Sequence, residues 1–441
     1  NAGIRFVTEI CKMRAFTELW DEITRDRYGI DNAKFRRFRY GVQVNSLGLT
    51  EQQPENNVYR ILIEMLAVTL SKNARARAVQ LPAWNEALGL PRPWDQQWSL
   101  RMQQIMAFET DLLEYEDIFD GSPVIAARVA ELKAAAREEM RRIEDRGGLL
   151  AALESGWIKR RLVAANAERM AAIEAGEITV VGVNAFTESE PSPLSTGEEE
   201  SILRVPEHVE SDQIERLRRW RAERDGAAVT EALAALRAAA AEGRNIMEPS
   251  IACARAGVTT GEWGKVLREV FGEYRAPTGV TSAPARGAAM ERLQRRVAAW
   301  AEKHGRAPQL LVGKPGLDGH SNGAEQIAAR ARAAGFDVRY EGIRFTPEEI
   351  VAQAREHGAD VIGLSILSGS HVPLVQEIMR LKDAAGLREG PVVVGGIIPA
   401  GDRLVLGQCG VRLIYTPADY RISDILGEIL DLLEERPVVE A

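Results

Sequence analysis

The sequence predicts an α/β protein that ends in a doubly wound parallel sheet. After residue 306, five apolar runs of strand length alternate with five helical segments. Thr346-Pro347-Glu348-Glu349 is a capping box with proline at the first helical position, which marks one helix start. This alternation is typical of a flavodoxin-like domain, predicted here over residues 306–441. The predicted strands are 309–313, 337–343, 360–367, 391–397 and 412–416, and the predicted helices are 324–334, 347–357, 372–385, 401–409 and 422–434.

Residues 1–120 carry an earlier set of helix and strand patterns. They predict βα units around a parallel sheet, as in the C-terminal part of a TIM (β/α)8 barrel. Such a barrel needs about 250 residues, so two strands cannot close one. Asn1 stands in place of an initiator Met, and we therefore expect a truncated chain or a partner that supplies the other strands. The predicted helices are 6–25, 56–71 and 95–114, and the predicted strands are 38–45 and 76–81.

Residues 121–305 are predicted to form a helical linker region. Ala, Glu and Arg recur at helical spacing over 121–190, and a second helical section covers about 207–273. Two stretches have the composition of solvated loops, Thr187–Ser201 and Tyr274–Gly287.

Composition narrows the class of protein. Of 441 residues, 45% are hydrophobic and 27% charged, as in ordinary globular proteins. The net charge of −8 opposes a nucleic-acid role, and no apolar run is long enough to span a membrane. Cys11, Cys253 and Cys409 are odd in number and far apart, which indicates free thiols in a reducing compartment. We therefore expect a cytoplasmic protein.

Three polar or glycine-rich signals stand at the carboxyl ends of predicted strands of the last domain. They are Lys314-Pro-Gly-Leu-Asp318-Gly-His320-Ser-Asn-Gly323, Ser365-Ile-Leu367 and Gly395-Gly396. Ligands of such folds bind outside the carboxyl ends of the strands, where all three signals fall. A glycine-rich phosphate loop is the simpler alternative, but the spacing matches neither common nucleotide motif.

His320 is the candidate metal ligand in this group. A metal-bound imidazole usually passes its other N–H to a carboxylate, and Asp318 is two residues away. Lys314 could keep that carboxylate ionised. Gly323 permits the backbone to turn close to a bulky ligand.

The pattern D-x-H-x-x-G, then S-x-L, then G-G resembles the cobalamin-binding domain shared by adenosylcobalamin mutases and methionine synthase. The resemblance implies that His320 ligates cobalt in place of the cofactor's benzimidazole, with Asp318 and Lys314 behind it as a relay. It further implies that the nucleotide tail of the cofactor runs down a slot in the domain. The residues expected along that slot are Ser365, Leu367, Gly395, Gly396 and Thr416.

Residues 42–67 and 83–91 resemble the final two βα units of the acyl-CoA mutase barrel. In that family a glutamine near the corrin face matches Gln43, and a glutamate beside the adenosyl ribose matches Glu86. Gly41 departs from the methylmalonyl-CoA mutase pattern, which usually has His there. The segments 81–101, 314–323 and 363–371 instead resemble the ethylmalonyl-CoA mutase branch.

The resemblance implies an adenosylcobalamin-dependent radical isomerisation of ethylmalonyl-CoA to methylsuccinyl-CoA, a step in acetyl-CoA assimilation. The full enzyme is expected to be a homodimer. The substrate-side residues of the family have no counterpart here, and His371 is interpreted as a loop residue. We therefore expect this chain to bind cobalamin without turning over alone.

Three alternatives remain open. One is a methylmalonyl-CoA mutase or another acyl-CoA mutase, since a single methylene separates the substrates. Another is a non-catalytic cobalamin-binding regulator, against which the barrel-like residues 1–115 argue. The third is a corrinoid methyltransferase, which usually carries a helical cap before the corrinoid domain; residues 207–273 are helical enough for such a cap.

Overall fold

The computed structural model describes residues 1–192, 202–204, 206, 208–281 and 287–435. Parts of both expected loops, 193–201 and 282–286, lie outside the described residues. The chain forms two compact units, Asn1–Leu203 with Pro277–Ala441 and, separately, Arg204–Ala276. Among the described residues, no helix combines the length and apolar character needed to cross a bilayer.

The first 120 residues form two parallel strands with helices around them. β1 pairs with β2 from Gly41 opposite Ala78 to Gln43 opposite Gln80. The parallel βα units predicted here are confirmed, whereas the barrel itself stays a prediction because two strands do not close one. The elements are α1 (Phe6–Asp26), β1 (Gly41–Gln43), α2 (Asn56–Thr69), β2 (Ala78–Gln80) and α3 (Pro93–Phe108).

Three further helices continue the first unit, α4 (Pro123–Glu144), α5 (Leu149–Glu154) and α6 (Trp157–Glu174). Cys11 of α1 and Ile125 of α4 share one apolar cluster, which fixes α4 against α1. α6 ends at Glu174, which pairs with the buried guanidinium of Arg330 in the C-terminal sheet domain. The contacts of this linker helix with that domain are therefore partly polar.

The second unit, Arg204–Ala276, contains the helices predicted for this region. α8 begins at an Asp225 N-cap and α10 at a capping box between Thr259 and Glu262. A small core holds them together, with Leu236 and Cys253 almost fully buried. The helices are α7 (His208–Glu223), α8 (Gly226–Ala241), α9 (Met247–Ala256) and α10 (Thr260–Phe271).

A five-stranded parallel sheet forms the rest of the first unit, with order β4-β3-β5-β6-β7. This order is that of a doubly wound flavodoxin-like fold, as predicted. Its strands are β3 (Gln309–Gly313), β4 (Asp337–Arg339), β5 (Val361–Ile366), β6 (Val392–Gly396) and β7 (Val411–Tyr415). Its helices are α11 (Ala288–His304), α12 (Asn322–Ala334), α13 (Pro347–His357), α14 (His371–Ala384), α15 (Ala400–Gln408) and α16 (Ile422–Glu434).

Helices cover both faces of this sheet, and the alternation of side chains along each strand fills two cores. On β3, Leu310 and Val312 pack with α11, α12 and α16, whereas Leu311 packs with α13, α14 and α15. A parallel sheet buried on both faces needs near-continuous apolar strands, which explains why the sequence pattern was clear here.

Several predicted boundaries were wrong by a few residues, among them the end of α3, which is Phe108 rather than 114, and both ends of β2, which covers only Ala78–Gln80. β4 ends at Arg339 rather than at 343, since Gly342 and Arg344 have positive φ angles of 114° and 67° and leave the extended conformation. β1 is shorter than 38–45 because strand pairing with β2 covers only residues 41–43. Thr416, expected to end the fifth strand, instead follows it.

Candidate functional site

The loop between β3 and α12 carries the candidate metal ligand. Its first turn is anchored to the segment that precedes α13, since Gly316 donates its N–H to the carbonyl oxygen of Phe345 at 2.9 Å. Gly316 has a φ of 78° and packs on Leu374 of α14; a methyl group there would lie 2.9 Å from Leu374 Cδ1. Glycine is therefore required for this turn.

Lys314, Asp318 and His320 form a hydrogen-bonded relay. Lys314 Nζ donates to Asp318 Oδ2 at 2.6 Å, and His320 Nδ1 lies 2.6 Å from Asp318 Oδ1. The backbone N–H of His320 donates to Oδ1 at 3.0 Å, and that of Leu367 to Oδ2 at 3.1 Å. Both oxygens of the carboxylate thus have two donors each, which fixes its rotation.

The charges of the relay are set by burial and pairing. Burial by itself would raise the pKa of Asp318, but the hydrogen bonds from Lys314 and His320 hold it well below its usual range. Burial lowers the pKa of Lys314, and the ion pair with Asp318 opposes this. The side chain of Lys314 is fully buried and that of Asp318 is 3% exposed, so this ion pair is made away from water.

The imidazole of His320 is the solvent-exposed member of the relay, with 76% of its side chain exposed. An ionised carboxylate only accepts hydrogen bonds, so the short contact with Asp318 requires the proton on Nδ1. In the neutral ring, Nε2 then keeps its lone pair. A buried carboxylate therefore presents one histidine nitrogen as a metal donor on the surface of the domain.

The predicted slot residues of the neighbouring strands lie at the same edge of the sheet. Ser365 is paired in register with Gly395, one residue before β6 ends. Gly323, in the first turn of α12, faces the same place, because a methyl group there would lie 3.9 Å from Ser365 Oγ. Leu367 directly follows β5 and is half-buried. The structure thus brings these predicted residues together beside the relay.

The two glycines that end β6 differ in what they permit. Gly396 has a φ of 149°, and any Cβ there would overlap the carbonyl oxygen of Ile366 on β5. Gly395 has open space, since an added methyl group would come no closer than 4.0 Å, to Tyr415 Cβ. Gly396 is therefore required by the backbone, and Gly395 leaves room next to it.

The loop after β7 contacts the segment that precedes α2. Ala418 donates its N–H to Glu51 Oε2 at 3.0 Å, and its carbonyl oxygen accepts from Gln52 Nε2 at 3.0 Å. Thr416, two residues earlier, is buried and accepts a hydrogen bond from the same N–H at 3.3 Å. The roles of Glu51 and Gln52 were missed, because contacts to a distant backbone leave no periodicity in the sequence.

Glu86 lies in the segment between β2 and α3. Its neighbours are held by the buried carboxylate of Asp95, to which Trp84 Nε1 and Asn85 Nδ2 donate at 3.1 and 2.8 Å. Burial raises the pKa of Glu86, while a hydrogen bond from Ser46 and the proximity of His320 lower it. Glu86 is thus close enough to interact electrostatically with the candidate metal ligand.

Gln43 is the last residue of β1, and it is exposed. It pairs in register with Gln80 of β2, so its position at a strand end agrees with the position expected for a ligand-facing residue. No contact in the structure connects its side chain with the relay, and its role stays a prediction.

The interpretation of His371 as a loop residue was wrong. His371 begins α14 and is 4% exposed. Its Nε2 lies 3.0 Å from Asp402 Oδ2 on α15. A lone histidine after a Ser-Gly-Ser run gives no signal of burial, because its partner is 31 residues away and has no motif of its own.

The comparisons with known proteins agree with this architecture. Residues 1–273 match the model of the methylmalonyl-CoA mutase family, and residues 308–424 match that of the B12 binding domain. The fold and the site therefore define a cobalamin-dependent protein with a mutase domain. The chain belongs to the methylmalonyl-CoA mutase family, and its cofactor is a cobalamin.

Within this family the chain is similar in sequence to two ethylmalonyl-CoA mutases. It is 65% identical to that of Methylorubrum extorquens over 434 residues and 62% identical to that of Cereibacter sphaeroides over 435. The methylmalonyl-CoA mutase of Cereibacter sphaeroides is 33% identical over 439 residues. Each match covers 98% of this chain but only 63%, 66% and 60% of the respective relative.

The difference between the two β6 glycines gives a prediction for stability. Gly396→Ala should lower the free energy of unfolding by about 2–6 kcal/mol, since overlap and positive-φ strain each cost about 1–3 kcal/mol. Gly395→Ala is the matched control and should change it by no more than about 1 kcal/mol. Urea denaturation followed by circular dichroism measures both. Equal effects of the two substitutions would contradict this account of Gly396.

Proposed function

We propose that this chain binds adenosylcobalamin through His320 and serves an ethylmalonyl-CoA mutase. One observation carries the proposal: buried Asp318 holds His320 Nδ1, which leaves Nε2 of an exposed ring as a donor. Imidazole nitrogen is a suitable ligand for a first-row transition metal such as cobalt. Because the metal would be held in a corrin ring, a single protein ligand is sufficient at this site.

The surroundings of His320 fit a large cofactor with a nucleotide tail. Gly323 and Gly395 have no side chain at the edge of the sheet, and Ser365 offers a hydroxyl group between them. We propose that the tail lies along Ser365, Leu367, Gly395 and Gly396, with Thr416 at its far end. Open space beside one polar group is what an apolar base with polar substituents requires.

Residues 1–120 are proposed to be the last two βα units of a TIM barrel, joined through residues 121–305 to the cobalamin domain, 306–441. The match of the mutase family model to residues 1–273 favours this assignment over a cobalamin-binding regulator or a methyltransferase. The proposed substrate is an acyl-CoA, and the full enzyme is proposed to be a cytoplasmic homodimer. Cys11 and Cys253 are free and buried, which agrees with a reducing compartment.

The proposed reaction converts ethylmalonyl-CoA into methylsuccinyl-CoA. When bound, adenosylcobalamin supplies the radical chemistry through homolysis of its cobalt–carbon bond, and the protein supplies binding and orientation. His320 would hold the cobalt, and Asp318 would keep the imidazole in the required tautomer. Glu86, half-buried and near His320, would accept hydrogen bonds from the ribose of the adenosyl group. Gln43 is proposed for the corrin face.

The ligand assignment predicts a spectroscopic signature. In the 441-residue chain with added cob(II)alamin, nitrogen hyperfine structure in the electron paramagnetic resonance spectrum should change from triplets to doublets when the protein's histidines carry ¹⁵N. His320→Ala should make the spectrum independent of the label. His357→Ala is the control, since the hydrogen bond of that ring is to the backbone carbonyl oxygen of Asp337, away from the relay. A label-dependent spectrum in His320→Ala would refute the assignment.

The substrate assignment predicts that the full-length protein encoded by the gene prefers ethylmalonyl-CoA as its substrate. Because one methylene in an apolar pocket is worth about 1–3 kcal/mol, kcat/KM should favour ethylmalonyl-CoA over methylmalonyl-CoA by about 10- to 200-fold. Parallel assays by mass spectrometry of the CoA products measure the ratio, and His320→Ala reports the background rate. An equal or reversed preference would contradict the ethylmalonyl assignment while leaving the cobalamin site intact.

A further inference from the structure

His371 connects the loop between β5 and α14 with helix α15. Its Nε2 lies 3.0 Å from Asp402 Oδ2 in the first turn of α15. Its Nδ1 lies 3.3 Å from the carbonyl oxygen of Ser368 in the loop. The ring is 4% exposed, so both contacts are made almost entirely away from water.

The loop held by this histidine, Leu367–Ser370, is the one that contacts the relay. Leu367 donates its N–H to Asp318 Oδ2 at 3.1 Å. On the other side, a methyl group at Gly369 would lie 3.2 Å from Leu90 Cδ1, four residues after Glu86. The loop therefore contacts both the relay and the segment that carries the proposed ribose ligand.

The two contacts of the ring hold the loop against α15. A carboxylate oxygen can only accept, so Nε2 of the ring donates to Asp402, and Nδ1 faces the Ser368 carbonyl oxygen. Charge-assisted hydrogen bonds of this kind are shorter and stronger than neutral ones. In Asp402→Ala the buried ring loses its charged acceptor, and in His371→Ala the loop loses its contact with the ring, so either change should release the loop.

We propose that His371 and Asp402 are positioning residues for the cobalt ligand. Their pair holds residues 367–370 so that the Leu367 N–H stays on Asp318, and this hydrogen bond fixes the rotation of the carboxylate that orients the His320 ring. The effect on the loop is a property of the chain itself. Only the effect on cobalt ligation rests on the proposed function.

Hydrogen exchange in the cofactor-free chain tests the first step. His371→Ala and Asp402→Ala should each accelerate amide exchange of the peptide spanning 366–370 by about 10-fold, the size expected when one charge-assisted hydrogen bond is lost. Ser370→Ala is the control in the same loop, because it removes only the hydroxyl contact with Ser368 Oγ and should leave exchange within about twofold of the unmodified chain.

Two conservative variants separate the contacts and guard against simple misfolding. His371→Asn places an amide near the position of Nδ1 and retains the Ser368 contact, whereas His371→Gln reaches the position of Nε2 and retains the Asp402 contact. Each should exchange more slowly than His371→Ala and faster than the unmodified chain. Both variants should keep a single cooperative thermal unfolding transition, which separates a local effect on the loop from misfolding.

Cobalamin loading tests the second step. His371→Gln should release added cob(II)alamin faster, with broadened histidine hyperfine lines, whereas Ser370→Ala should not. Unchanged exchange at 366–370 in His371→Ala and Asp402→Ala would overturn the proposal, as would equal acceleration in Ser370→Ala. If exchange responds as expected but the unmodified chain binds no cobalamin, the proposed function fails and the role of His371 in holding the loop stands.

Discussion

The carboxylate of Asp318 is the interaction on which the site depends. It is almost fully buried, yet it accepts hydrogen bonds from Lys314, from the backbone of His320 and Leu367, and from the imidazole of His320. Burying a charge is costly unless it is paired and hydrogen-bonded, and here every lone-pair direction is used. The result is an exposed imidazole whose orientation and tautomer are set from inside the domain.

The parallel sheet explains how distant residues reach this carboxylate. Its strands all end at one edge, so the loops after β3 and β5 and the glycines that end β6 lie side by side. The segment that carries Glu86 lies against the β5–α14 loop through Leu90 and Gly369, and Gln52 donates to the carbonyl oxygen of Ala418. The residues of the mutase domain and of the cobalamin domain thus meet where the cofactor is proposed to bind.

The sequence predicted the C-terminal sheet and its strand-end residues well, because strands buried on both faces are continuous apolar runs and Asp318 and His320 stand two residues apart. It did not predict the contacts of His371, Glu51 or Gln52. Each of these side chains bonds to a partner far along the chain, and such pairing leaves no local pattern. The three-residue strands β1 and β2 were predicted too long, since pairing rather than composition sets their ends.

The tautomer of His320 in the cofactor-free chain tests the central claim most directly. Ring-labelled ¹⁵N histidine, with the five histidines assigned through single substitutions, reports the protonation of each nitrogen in a long-range proton–nitrogen correlation spectrum. The account predicts that in the neutral ring of His320 the proton is on Nδ1 and not on Nε2. In Asp318→Ala this preference should disappear. A proton on Nε2 of the unmodified chain, or no change in Asp318→Ala, would contradict the claim that Asp318 presents the metal-binding nitrogen.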